Sequence, residues 1–172
     1  MLKAIGSRKN LKDELYYSYI SDIIESSIIQ DLKQYTHHVY TTRFQHSINV
    51  SYYNYKICHF FGLDERAGAR AGLLHDLYFY STNNKPSKHH LKNHPQVALK
   101  NASECFYLSP IEEDIILKHM FPITKERPKY KETYVIIFVD KYCAIAESII
   151  CRLHKLHNIK LHKKKKVSSN VY

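Results

Sequence analysis

Tryptophan is missing from this chain, and glycine (four), proline (five) and methionine (two) are scarce among its 172 residues. So few backbone breakers exclude a turn-dense sandwich of short strands and a Pro/Gly-rich linker chain. The four cysteines (Cys58, Cys105, Cys143, Cys151) stand far apart with no CxxC pair. That spacing argues against a disulfide framework, so reduced, buried thiols are expected. No apolar run approaches the 18 residues of a membrane span, and the opening MLKAIGSRKNLKDEL has no signal-peptide apolar core. A cytoplasmic protein with no membrane partner is the expectation.

Acidic residues are also missing from one region. None follows Glu147, whereas Arg152, Lys155, Lys160 and Lys163 to Lys166 add seven positive charges there. Of the formal +10, only about +3 belongs to residues 1–147, so the basic character is that of a tail. Nucleic-acid binding through that tail is the lesser expectation beside a solvated end.

What is present is helical spacing. Leu15, Ile20, Ile23, Ile24, Ile28 and Leu32 predict a helix within 11–35. A second is predicted over 42–61 with Gly62 as its stop, and a third over 64–77 with Asp64 as N-cap. Small residues at Ala67, Gly68, Ala71 and Gly72 would let this third helix approach a neighbour closely. The polar stretch 81–93 reads as a loop, with Pro95 opening a helix to about Tyr107. Ser109-Pro110-Ile111-Glu112 is a capping-box start for a helix to about His119. The last helix is predicted over 131–156, including the strand-like run Tyr134 to Val139. The fold expected is all-α, a single-domain helical bundle.

Candidate chemistry centres on His75-Asp76, at the end of the third helix. A neutral imidazole beside a carboxylate can hold one metal ion or help bridge two. Asp140 sits in the apolar run ending at Val139, where an unpaired carboxylate is costly to bury. His46 lies early in the second helix. His94 and His119 are each placed near a helix end. His37-His38 and His89-His90 read as exposed residues, and His154, His157 and His162 as parts of the basic end. Tyr78 and Tyr80 are near enough to the doublet to line a pocket.

The segments Arg43-Phe44-Gln45-His46-Ser47, Leu73-Leu74-His75-Asp76 and Val139-Asp140-Lys141 together resemble the HD superfamily of metal-dependent phosphohydrolases. The resemblance covers roughly residues 40–150 and implies a helical core. It also implies a ligand set of His46, His75, Asp76 and Asp140 for one divalent ion. Members with two ions add two histidines between the doublet and the last aspartate, which His94 and His119 match in order. Asp76 would then bridge. Iron, manganese, nickel or zinc suits such ligands. Under this resemblance the chain divides into an N-terminal helical segment (1–36), an HD-type metal-binding domain (37–156) and a basic, disordered tail (157–172).

The chemistry implied is hydrolysis of a nucleotide or another small phosphate ester or anhydride by metal-activated water. His75 and Asp76 would position it, and Glu147 is a candidate to orient an imidazole. Several subgroups carry a lysine three residues after the aspartate, where this chain has Phe79. Arg43, Lys118 and Lys141 are therefore the candidate phosphate-binding cations. Two alternatives stay open: a di-iron oxygenase of the same family, and a non-catalytic nucleotide-binding or RNA-associated protein. The oligomeric state is open as well.

Overall fold

A computed structural model describes residues 8–38, 41–79 and 88–168, with side chains over 10–36, 41–79 and 91–153. The fold is mostly helical. In chain order the helices are α1 (Glu14–Ile24), α2 (Ser27–Gln30), α3 (Arg43–Phe60), α4 (Glu65–Leu74), α5 (Lys88–Cys105), α6 (Pro110–Lys118) and α7 (Lys131–Ser168). A short antiparallel pair, β1 (Thr36–His38) and β2 (Thr41–Thr42), leads into α3.

Helix starts follow their capping chemistry. Asp13, Thr42 and Asp64 accept hydrogen bonds from the backbone N–H groups of Tyr16, Gln45 and Ala67, satisfying donors that the helix itself leaves unpaired. Ser109 and Glu112 form a complete capping box with Pro110 in the first turn. Gly62, after α3, has φ of 62°, a left-handed conformation that costs glycine little.

Four boundaries differ from the sequence expectation. The single helix over 11–35 is divided, with 3-10 turns at Arg8–Lys12 and Asp31–Gln34 flanking α1 and α2. At the break the Ser26 hydroxyl donates to Ile23 O (2.6 Å), a local bond that competes with helix continuation. Helix α4 ends at Leu74 rather than Leu77, so the doublet sits in the turn after it. Helix α5 begins at Lys88 and carries Pro95 inside it, which puts His94 within the helix instead of before its start. With its amide oriented to donate, Gln96 reaches Lys92 O (2.7 Å) and Asn93 O (3.0 Å) and supplies donors beside the proline that lacks one. Helix α7 runs to Ser168, past 156, because no glycine or proline interrupts 131–168 and lysine is a good helix former. Of the predicted loop, residues 81–87 lie outside the described residues.

One core runs through the bundle. Tyr16, Ile20 and Ile23 of α1, Ile48 of α3, Leu73 and Leu74 of α4, Ile115 and Ile116 of α6, and Ile136 and Val139 of α7 are all buried in it. The N-terminal helix thus shares the core of the rest. Arg70 of α4 ties three helices together: its Nε donates to Glu112 Oε1 (2.9 Å) and its Nη1 to Asp22 Oδ1 (2.6 Å) and Tyr19 O (3.0 Å). Among the thiols, Cys58 and Cys143 are buried as expected, while Cys105 is exposed and Cys151 half-buried; all are free.

The tightest approach is between α3 and α4. A Cβ placed on Gly72 would lie 2.7 Å from Ser51 Cα and 3.1 Å from Asn54 Nδ2, and one on Gly68 would lie 2.9 Å from Cys58 Sγ. Gly72→Ala must push the two backbones apart and should destabilise the protein by about 1–3 kcal/mol, the usual cost of overpacking. Urea unfolding monitored by circular dichroism measures this, and a midpoint equal to wild type would contradict it.

Candidate metal centre

Four helices and one turn converge at the end of α4. The donors are His46 in the first turns of α3, His75 and Asp76 just after α4, His94 inside α5, His119 after α6, and Asp140 on α7. All but Asp140 are buried, and its side chain is 18% exposed.

Two of these histidines are placed by the same device. His75 and His119 each occupy the C-cap of their helix. Their Nδ1 atoms lie 2.9 Å from Gly72 O and 2.8 Å from Ile116 O, in each case the carbonyl three residues earlier. A carbonyl only accepts, so Nδ1 carries the proton and Nε2 presents its lone pair to the cluster. His46 is held from behind by Glu147, whose oxygens lie 3.2 and 3.1 Å from its Nδ1. Asn49 Nδ2 donates to Glu147 Oε1 (2.7 Å), and Gln45 Nε2 donates to Asn49 Oδ1 (3.1 Å).

The inward-facing atoms form two overlapping groups. His46 Nε2 is 3.1 Å from Asp140 Oδ1, and His75 Nε2 is 3.8 Å from that same oxygen. Asp76 divides its carboxylate: Oδ2 faces His75 Nε2 at 3.8 Å, whereas Oδ1 faces His94 Nε2 at 3.4 Å and His119 Nε2 at 3.8 Å. His94 and His119 stand Nε2 to Nε2 at 2.9 Å. His46, His75 and Asp140 form one set close enough to hold a metal ion, and His75, Asp76 and His119 form another.

The donors fit a cation on one decisive observation. Among the described residues His75 Nε2, fully buried, has no hydrogen-bond partner, although two carboxylate oxygens stand 3.8 Å away. A lone pair facing two anionic oxygens is unfavourable unless a positive charge lies among them. Mixed imidazole and carboxylate donors suit a divalent transition metal.

A family model for the HD domain matches residues 43–145. The chain belongs to the HD domain family. Members are typically metal-dependent phosphohydrolases, and the buried His/Asp groups here could hold the metal such an HD protein uses. No match was found among curated proteins or among solved structures.

The cations suggested by the sequence are placed differently from one another. Arg43 is buried; its Nη1 donates to Tyr78 O (2.6 Å) and its guanidinium lies 3.7 Å from the Tyr78 ring centre. It therefore braces the segment leaving the doublet. Lys118 is buried in an ion pair with Asp114 (2.6 Å). Lys141 is not brought to the cluster: it is exposed and bonds Ile137 O of its own helix, because one residue past Asp140 is a turn of about 100° around α7. Phe79 is partly exposed against Tyr35, and the Tyr78 ring lies 5.6 Å from that of His94. The side chains of Tyr80, His37, His38, His89, His90, His154, His157 and His162 lie outside those described. Asn49 and Gln45 escaped the sequence reading; Asn49 three residues after His46 on a helix was the available signal.

Without metal, protons answer the same electrostatics. Burial works to lower the pKa of His46, but Glu147 and Asp140 outweigh it and raise it to about 10. Burial likewise opposes a proton on His75, and Asp76 and Asp140 overcome it. Burial would raise the pKa of Asp140, yet His46 and His75 hold it well below the usual carboxylate range. His119 is pushed down to about 3 by burial and by His75 and His94.

Two outcomes follow. His75→Ala or Asp76→Ala should remove most of the bound transition metal found by elemental analysis of protein purified without chelators, while Glu147→Gln should weaken metal affinity by about 10–100-fold. In chelated protein the raised His46 pKa adds stability that is complete below about pH 6.5 and fades as pH rises to about 10. Thermal melts of the chelated protein should therefore show a decline over that window that is shallower in His46→Asn. Metal-loaded protein should show the opposite trend, since protons compete with the metal for the ring.

Proposed function

We propose that this HD domain protein hydrolyses a nucleotide or another small phosphate ester or anhydride, using two divalent transition-metal ions. The observation that carries the reading is the divided Asp76 carboxylate, with one oxygen toward His75 and the other toward His94 and His119. That arrangement suits a bridging ligand. His46, His75, Asp76 and Asp140 would hold one ion, and Asp76, His94 and His119 the second.

Bound metal of this kind lowers the pKa of water and offsets charge on phosphoryl oxygens. The chain does the rest. Gly72 O and Ile116 O keep His75 and His119 in the tautomer that leaves Nε2 unprotonated. Glu147, steadied by Asn49, accepts from Nδ1 of His46 and turns Nε2 toward Asp140. Arg43 holds Tyr78, and so the turn carrying Asp76. Water activated by the metal would need no separate serine or cysteine nucleophile, and both buried thiols, Cys58 and Cys143, are pushed up in pKa by burial and so stay protonated.

The compartment fitting this chemistry is the cytoplasm, where nucleotides and free divalent ions meet. No helix among the described residues is long and apolar enough to cross a membrane. The test is release of phosphate from a panel of nucleotides and sugar phosphates by metal-loaded protein. Turnover of at least one substrate should fall to background in Asp76→Ala and on chelation. Persistent turnover in either case, or none on any substrate by fully metal-loaded protein, would refute the proposal.

A further inference from the structure

Helix α7 is amphipathic in an unusual sense: the face it turns to water is mostly apolar. Tyr134, Phe138, Ile145, Ile149 and Leu153 are each between 52% and 70% exposed. At about 100° per residue they fall within about 100° of arc, a continuous stripe along the helix. Such a stripe on a folded chain marks a surface that something covers.

Charge decides between occupants. Helix α7 contains three carboxylates, and all face inward: Glu132 accepts from Asp64 N (3.0 Å), while Asp140 and Glu147 belong to the histidine cluster. The charged groups beside the stripe, Lys141 and Arg152, are positive, and both are exposed. Beyond them the sequence of α7 adds Lys155, Lys160 and Lys163 to Lys166 with no acidic residue. A second copy would bring the same positive face, with no α7 carboxylate to meet it. A nucleic acid would meet the lysines but offers no apolar layer for Phe138 and Ile145. Negatively charged headgroups above an acyl boundary satisfy both halves of the pattern.

We propose that the outward face of α7 docks on an anionic lipid bilayer, its apolar stripe at the acyl boundary and Lys141 and Arg152 among the headgroups. Asp140 and Glu147 lie on the opposite side of the same helix, so docking leaves the histidine cluster facing away from the lipid. Phe60 and Phe61 form an exposed aromatic pair at the end of α3, a few residues before Asp64, whose N–H meets Glu132 of α7. The proposal is independent of the hydrolytic reading.

The test is co-sedimentation of the full chain with vesicles of phosphatidylcholine alone and of phosphatidylcholine mixed equally with phosphatidylglycerol. Partition onto the mixed vesicles should be at least about tenfold stronger and should weaken with added salt. Phe138→Ser and Ile145→Ser, made singly and checked by thermal melting, should each reduce it several-fold, as should Lys141→Ser with Arg152→Ser. The salt and lipid dependence of the wild-type chain stands even if one variant misfolds. Equal binding to both vesicle types, or none, overturns the proposal. So does a dimer in sedimentation velocity that Ile145→Ser dissociates, which would assign the stripe to a second copy. Nucleic-acid binding that Phe138→Ser abolishes, without vesicle binding, overturns it as well.

Discussion

Two helix ends closed by their own histidines set the character of this protein. A C-terminal carbonyl of an α-helix needs a donor, and in α4 and α6 the donor is the Nδ1–H of a histidine three residues on. That bond fixes the tautomer and aims Nε2 in one stroke. Capping and orientation of the imidazole are here the same contact. Neither ring can turn away without exposing a helix-end carbonyl, so the donors are preorganised by the secondary structure.

The bundle then has to bring those two ends together with α3, α5 and α7. The small residues of α4 do the first part. Gly68 and Gly72 let α3 close to distances that any Cβ would block, which draws His46 toward His75 until their ring centres are 5.5 Å apart. The pairing of α3 with α7 does the second. Asn49 meets Glu147 and Tyr53 meets Tyr142, which holds α7 against α3, and on the same helix Asp140 reaches His46. Arg70, bonded to α1 and to Glu112 of α6, holds α6 in place, and with it His119.

Much of this was legible in the chain. The capping residues Asp64 and Ser109 mark helix starts through short-range hydrogen bonds, and short-range chemistry can be read locally. The breaks that failed to be legible depend on competing bonds of similar strength. Ser26 divides the first helix through a hydroxyl bond, and Pro95 fails to start one because helix α5 already runs through it from Lys88. The six candidate donors come together as a cluster, but Lys141 does not join them, since adjacency in sequence on a helix means divergence in space. Asn49 and Gln45 were harder to read for the complementary reason: they act through Glu147, 98 residues beyond Asn49.

The sequence by itself determined the helical fold and the family pattern from Arg43 to Asp140, and it singled out the candidate donors, because periodicity, capping and motif order are local properties of the chain. The tertiary structure alone decided that Asp76 turns its two oxygens to different histidines. It alone left His75 Nε2 buried among carboxylates, and it alone turned every carboxylate of α7 inward so that an apolar and basic face remains outside. Those outcomes depend on how helices rotate about their axes when they pack. Rotation is set by the whole core at once, and no single segment encodes it.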